Sequence, residues 1–397
     1  MYLIDHYNFA SKKALVRVDF NVPLDKETYK ITDDKRIKAA LPTLQKILSD
    51  KGSAIVMSHL GRPKNGPEDK FSLKHIIKKI EELTGAKVHF ANNCIGEEAE
   101  SISSKLLPGE ILLLENVRFH SEETKGDLNF ARLLSKLGDC YVNDAFGTAH
   151  RAHSSTCQIA DFFPKDKMFG YLMENEIKSA KAVMEETKRP FTAIVGGAKV
   201  SDKVLIVENL LKKADHIIIG GGMAYTFKKA LGGSIGNSLC EDERIRTCIN
   251  ILSDAKDKGV SIHLPEDSII ADEFKNDANI QERNSDSIEN NWMGLDIGPK
   301  AAQSFSEVIL SSQTILWNGP MGVFEMSSYE KGTKKVAKAV AKATENGAYS
   351  LIGGGDSAAA AKKFGVDGSV SHVSTGGGAL LEYFEGKVLP GIEAIES

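Results

Sequence analysis

Tyr349-Ser350-Leu351-Ile352-Gly353-Gly354-Gly355-Asp356-Ser357-Ala358-Ala359-Ala360-Ala361 passes from a short apolar run, through three glycines, into a strong helix-forming stretch. An apolar run of strand length that turns on glycine into a helix is the unit of a parallel α/β sheet. The same alternation recurs outward in both directions. Apolar runs rich in Val, Ile and Leu occupy 14–18, 54–57, 111–114, 140–142, 192–195, 216–219, 261–264, 314–317 and 370–374. Between them lie amphipathic stretches. Ser72 to Gly85 places Leu73, Ile76, Ile77, Ile80 and Leu83 on one face, with serine at the cap position and glycine just past the end. The pattern predicts an α/β protein with two doubly wound parallel-sheet, Rossmann-like domains. A charged, helix-prone segment closed by Arg189-Pro190 separates them as a helical hinge.

The 397 residues suit two domains, each long enough to bury a core. Fifty basic against 54 acidic residues leave a net charge of −4, which gives no global case for nucleic-acid or membrane-surface binding, so anion recognition has to be local. Five widely spaced cysteines without a CxxC pair argue against a disulfide framework or zinc ribbon and for a reducing, cytoplasmic compartment. The first 19 residues read as neither signal peptide nor membrane anchor.

Arginines and glycines are segregated. Arg17, Arg62 and Arg118 follow apolar runs, Arg36 opens a helix, and Arg151 lies between His150 and His153. Ligands of open α/β sheets bind beyond the carboxyl ends of strands, and guanidinium forks match phosphates and carboxylates, so this set suits a small, multiply charged anion. For one arginine alone a surface ion pair is the simpler reading; five at such positions weaken it. The second half instead carries Gly196-Gly197 followed by Lys199 and Lys203, Gly220 to Gly222, Gly353 to Gly355, and Gly376 to Gly378. Such turns let backbone N–H groups reach a phosphate at a helix N-terminus, or else serve close packing.

A Walker A loop is absent, because Gly386-Lys387 is followed by valine. Gly353-x-Gly355-x-x-Ala358 fits the dinucleotide pattern formally, but Asp356 would repel a pyrophosphate unless a cation intervened, and no acid stands near Val373. With Mg²⁺ bridging carboxylate and phosphates the objection reverses, so Asp356 is the expected metal anchor. Together the halves predict phosphoryl transfer, with Lys199 and Lys203 four apart on one helix face beside a glycine turn. Asp19, His59, His150 and His153 are all possible general bases, although a carboxylate acceptor would need none. His150, His153 and Cys157 lack a fourth zinc ligand at standard spacing. A nicotinamide dehydrogenase and a non-catalytic nucleotide-binding protein are the rival readings.

The strings Arg17-Val18-Asp19-Phe20-Asn21-Val22-Pro23, Ser58-His59-Leu60-Gly61-Arg62-Pro63, Leu114-Glu115-Asn116-Val117-Arg118-Phe119-His120, Asn143 through Ser154, Gly196 through Lys203, Trp317-Asn318-Gly319-Pro320 and Gly353 to Asp356 together resemble the phosphoglycerate kinase family along essentially the whole chain. The resemblance implies reversible, Mg²⁺-dependent transfer of a phosphoryl group from 1,3-bisphosphoglycerate to ADP, giving 3-phosphoglycerate and ATP. It implies a glycolytic, cytoplasmic, monomeric enzyme that works by hinge closure, without nucleic-acid or membrane partners.

It places 3-phosphoglycerate against Arg17, Asp19, Asn21, Arg36, His59, Arg62, Arg118 and Arg151, with Arg36 the catalytic arginine. Lys199 would follow the transferred phosphate and Lys203 hold nucleotide phosphates. Gly220, Gly221, Gly294 and Leu295 would meet the adenine, Glu325 the ribose, and Asn318, Gly353, Gly354, Gly355 and Ser357 the phosphate side. Asp356 would hold Mg-nucleotide, and Gly376, Gly377 and Gly378 would present N–H groups to the migrating phosphate. Ser357, more often threonine in the family, and Ala379-Leu380-Leu381, more often Ala-Ser-Leu, are small departures. The expected divisions are 1–170 for the substrate domain, 171–189 for the hinge, 190–375 for the nucleotide domain and 376–397 for a segment returning to the first domain.

Overall fold

A computed structural model describes residues 3–64 and 66–397. The chain separates into one unit of Met1–Ile177 with Val388–Ser397, and a second of Lys178–Lys387. The change from first to second unit falls inside the helix Tyr171–Met184. The C-terminal stretch expected to return is itself divided. The helix Gly378–Phe384 belongs to the second unit, and the helix Pro390–Glu396 to the first.

The first unit is built on β1 (Lys13–Val18), β2 (Ser53–Met57), β3 (Val88–Ala91), β4 (Ile111–Leu114), β5 (Cys140–Asp144) and β6 (Lys167–Phe169). They form one parallel sheet in the order β3-β4-β2-β1-β5-β6. Four of these strands are the apolar runs of the sequence, extended by a residue or two where they differ. The outer pair, β3 and β6, are too short and too mixed with polar residues to show periodicity. The inner strands are buried on both faces, as a helix-covered parallel sheet requires. Ser72 Oγ accepts Lys74 N–H at 3.2 Å and Gly85 ends the following helix at φ +68°, but the first turn, Leu73–Ile76, is 3₁₀ before the α-helix Ile77–Thr84 begins. The C-terminal helix docks through Asn143 Nδ2 to Gly391 O at 3.2 Å and Lys167 Nζ to Ala394 O at 2.8 Å.

In the second unit the strands are β7 (Phe191–Val195), β8 (His216–Ile219), β9 (Ser234–Ile235), β10 (Ser261–His263), β11 (Asp267–Ala271), β12 (Ile280–Asn284), β13 (Ser287–Ile288), β14 (Met293–Ile297), β15 (Thr314–Asn318), β16 (Tyr349–Ile352) and β17 (His372–Val373). Six of them make a second parallel sheet, β10-β8-β7-β15-β16-β17. Its core gathers Ile194, Ile218, Phe305, Ile315, Trp317 and Val340. An element absent from the expected all-parallel scheme is the small antiparallel sheet β12-β11-β14. Asp272 shapes its connecting loop, accepting Asn279 N–H at 3.1 Å and Asn279 Nδ2 at 2.6 Å.

In each large sheet the chain reverses its direction of winding next to the first strand: β1 lies between β2 and β5, and β7 between β8 and β15. A crevice opens at such a switch point beyond the carboxyl ends of the strands.

Candidate functional site

In the first unit, parallel register sets Arg17 of β1 beside Met57 of β2 and Asn143 of β5. The residues that leave these strand ends therefore meet. Arg17 is fully buried: its Nε donates to Ser155 Oγ at 2.8 Å, Nη1 donates to Val18 O, and Nη2 lies 3.3 Å from His59 Nδ1. Arg36, on the first turn of the helix Lys35–Ser49, reaches back to Asp19 at 2.7 Å. Asn21 Oδ1 accepts Gly61 N–H at 2.8 Å, tying the loop after β1 to the loop after β2, and Arg118 Nη1 donates to Gly61 O at 3.1 Å. Arg62 and Arg151 are exposed.

The five arginines share one field. Burial pushes His59 well below the usual imidazole range, reinforced by Arg17, Arg118 and Arg36. His153 falls to about 4, through burial and then Arg118, Arg17 and Arg151. Burial next to Arg17 brings Arg118 down to about 10, with Arg62 adding to the effect. A site that raises so much positive potential around two neutral imidazoles takes up an anion readily and is a poor place for an imidazole base.

Two participants are missing from the sequence reading. Glu123, wholly buried, accepts Ser155 Oγ–H at 2.6 Å and Ser155 N–H at 3.0 Å. Ser155 stands one residue beyond the string that carried the resemblance. Glu123 sits in the five-residue helix Ser121–Lys125, too short for its buried face to show.

In the second unit the glycine turns after β7 and β15 pack backbone to backbone. A Cβ on Gly196 would lie 2.1 Å from Pro320 O, and one on Gly319, at φ +114°, 2.2 Å from Gly196 O. Gly221, at φ +70°, also packs against backbone, a Cβ there lying 2.6 Å from Gly197 O. These turns therefore pack closely, whatever else they do. Ser357 Oγ accepts Gly319 N–H at 2.6 Å, joining the β16 turn to the β15 turn. Buried Asn318 donates from Nδ2 to Gly353 O at 3.0 Å and accepts Lys203 Nζ at Oδ1. Burial lowers the Lys203 ammonium, against the pull of Asp202, Asp356 and Glu385.

Lys199 and Lys203 are not on a helix face. The helix begins at Val204, and the residues before it form a turn in which Lys203 N–H reaches Val200 O at 2.9 Å. Glu241 holds that turn by accepting Ser201 N–H at 3.0 Å and Ser201 Oγ–H at 2.6 Å. Lys199 is left exposed and Lys203 half-buried.

Beside these turns lies a cavity of about 460 Å³. Gly221, Gly294, Leu295, Glu325 and Asp356 of the expected set line it, with Tyr225, Leu239, Phe274, Met293 and Met321, which the sequence reading did not include. Gly220 lies behind Met321, since a Cβ there would meet Met321 Sδ at 2.4 Å. A Cβ on Gly294 would lie 1.9 Å from Tyr225 Oη, so glycine is what lets that ring pack. The size and mostly apolar walls suit a heteroaromatic base, with carboxylates at the edge.

The turn Gly353-Gly354 opens directly into the helix Gly355–Lys363, with Gly354 at φ +90° and Asp356 exposed on the first turn. Among the described residues the Asp356 carboxylate makes no hydrogen bond or ion pair. Nor do three His, Cys, Asp or Glu side chains stand together to cage a metal ion. One open carboxylate beside a glycine turn at a helix N-terminus fits Mg²⁺, which takes one or two protein carboxylates and completes its shell from phosphates and water. At Gly376 to Gly378 the Gly376 N–H is used by Ser374 Oγ at 3.0 Å, and the helix starts at Gly378.

The family model described as Phosphoglycerate kinase matches residues 4–387. A phosphoglycerate kinase of Porphyromonas gingivalis is 53% identical over 99% of each chain. A chloroplastic phosphoglycerate kinase 1 of Arabidopsis thaliana is 49% identical over 97% of this chain and 79% of its own. Among solved structures, phosphoglycerate kinase from Coxiella burnetii superposes with a TM-score of 0.91 at 40% identity, covering 99% of this chain and 98% of that one. The Pyrococcus horikoshii OT3 enzyme gives 0.83 at 31%, covering 100% and 98%. The family model over residues 4–387, and these relatives matched along nearly the whole chain on the same two parallel sheets, place this chain in the phosphoglycerate kinase family.

Proposed function

We propose that the chain transfers the acyl phosphate of 1,3-bisphosphoglycerate to ADP, reversibly and with Mg²⁺, as its relatives' name implies. The observation that carries this is the pairing of an arginine-lined anion site on one unit with a base-sized cavity and open glycine turn on the other. The bond between phosphorus and the acyl oxygen breaks as a β-phosphate oxygen of ADP bonds to phosphorus, and 3-phosphoglycerate leaves as a carboxylate. In reverse that carboxylate is the nucleophile. It is already ionised at neutral pH, so the absence of a basic imidazole beside Arg36 is no obstacle.

Asp19, Asn21, Arg62, Arg118 and Arg151, with Arg17 and His59 beneath, orient the three-carbon substrate. Arg36 neutralises charge on the migrating group, and Lys199 with the N–H groups of Gly377 and Gly378 follows it. Glu325 accepts ribose hydroxyls, while Lys203, Asn318 and the Gly353-Gly354-Gly355 turn hold phosphates. Asp356 would hold Mg²⁺, which supplies charge neutralisation on the nucleotide phosphates. Phosphoryl transfer needs water excluded and both half-sites together, so we assign 171–189 to a hinge. That a helix spans the division of the units supports this assignment. Free cysteines support a reducing compartment such as the cytoplasm, and the reading is of a monomer. No helix among the described residues is long and apolar enough to cross a membrane.

A coupled assay of the purified chain tests the proposal: Mg-ADP-dependent consumption of 1,3-bisphosphoglycerate is expected, and its absence would refute the activity. Calorimetry with 3-phosphoglycerate and Mg-ATP, separately and together, tests the two half-sites.

A further inference from the structure

Arg17 is the most buried arginine of the anion site, and its bonds have a fixed direction. A guanidinium has five N–H donors and no acceptor. The bond from Nε to Ser155 Oγ at 2.8 Å therefore consumes a lone pair of the hydroxyl, whose single proton must point elsewhere. It points to Glu123 Oε1 at 2.6 Å, while Ser155 N–H donates to Glu123 Oε2 at 3.0 Å. At its far end Arg17 Nη2 faces His59 Nδ1 at 3.3 Å. Since Arg17 can only donate, Nδ1 must be the accepting nitrogen, which leaves the ring proton of a neutral His59 on Nε2.

We propose that Glu123, acting through Ser155 and Arg17, is a positioning residue that holds His59 as the Nε2–H tautomer, so that the imidazole offers a donor to the anionic substrate. The charges agree with this assignment. A buried guanidinium requires a compensating anion. Asp19 is already engaged by Arg36 at 2.7 Å and lies 4.0 Å from His59 Nδ1, too far for a hydrogen bond. Glu123, fully buried and joined to Arg17 by one hydroxyl, supplies the countercharge. Glutamine at 123 could not replace it: an amide accepts through one atom only, so either Ser155 N–H or Ser155 O–H would face a donor. The hydroxyl proton would then be free to turn toward Arg17 and loosen the guanidinium.

The role in substrate binding rests on the anion site proposed above, whereas the tautomer does not, so the two can fail separately. The experiment is long-range ¹H–¹⁵N correlation on the full chain labelled in histidine, with His59 assigned by comparison with His59→Gln. A wild-type His59 protonated on Nε2 is expected; a wild-type ring protonated on Nδ1 would overturn the proposal without recourse to any variant. In Glu123→Gln and in Ser155→Ala, which removes only an oxygen, the two ring nitrogens should move toward a mixture of tautomers. The KM for 3-phosphoglycerate should rise about tenfold, with the KM for Mg-ATP within twofold of wild type. A core variant remote from the site, Ile80→Ala, controls for lost stability and should leave the tautomer and both constants unchanged. If either folded variant kept the wild-type tautomer and KM, Glu123 would be structural only. Wild-type protein without turnover would refute the activity and leave the tautomer result standing.

Discussion

Arg36 Nη1 meets the Asp19 carboxylate at 2.7 Å across a boundary that is still wet, the two side chains being 44% and 19% exposed. A pair so placed contributes at most about 1 kcal/mol to stability. Arg36→Ala should thus leave thermal unfolding nearly unchanged while kcat falls by about 10³, the scale of losing an arginine from a phosphoryl-transfer site. Nucleotide affinity should change little. Lys199→Ala, which removes an exposed side chain, should behave alike. Wild-type kcat in either variant would withdraw its catalytic role.

Two glycine substitutions separate packing from ligand approach. Gly319→Ala introduces a Cβ 2.2 Å from Gly196 O at a φ of +114°, and should cost more than about 3 kcal/mol or prevent folding. Gly355→Ala meets nothing within 4 Å and begins a helix, so its stability should be equal or slightly higher. A several-fold weaker Mg-ADP affinity in Gly355→Ala, read by calorimetry, is expected if phosphate occupies that space; unchanged affinity would move the phosphates elsewhere.

Asn318 joins Lys203 to Gly353 O from a fully buried position. Asn318→Ala leaves a buried carbonyl and a half-buried ammonium without this partner, at about 1–3 kcal/mol for an unmet buried group. Chemical denaturation should show that loss, and Mg-ADP titration a weaker complex. A variant as stable as wild type would mean that water or a neighbour replaces the amide.

His153 supplies a pH dependence with a definite sign. Its folded value, about 4, lies below the ordinary 6.5, so the folded state binds fewer protons than the unfolded chain between these limits. The associated stability is complete above pH 6.5 and is lost as the pH falls toward 4. His153→Gln should flatten the stability profile in that window relative to wild type. Parallel wild-type and variant profiles from denaturant titrations at pH 4 to 7 would refute the assignment.

Local pattern made much of this fold legible. Ten apolar runs correspond to strands of the two large sheets; in the inner strands burial on both faces leaves continuous Val, Ile and Leu, while the edge strands β10 and β17 are only partly buried. The glycine turns and post-strand arginines could be found because each is fixed by its immediate neighbours. The strands β3 and β6 were not legible, being short, nor was the antiparallel sheet that carries Gly294 and Leu295 to the cavity. Lys199 and Lys203 look helical by spacing alone; Glu241, some 40 residues away, is what holds them in a turn.

The alternation of strand and helix, the segregation of arginines from glycines, and the family all follow from the local order of residues. Tertiary structure alone decided that β5 joins β1 and β15 joins β7, which creates the two crevices. It also decided that Gly196 and Gly319 touch, and that Glu123 stands behind Arg17. The reason is range. Helix and strand patterns arise from neighbours a few positions apart, whereas Ser155 lies 138 residues from Arg17 and 32 from Glu123, and only the packed sheet brings the three within hydrogen-bonding distance.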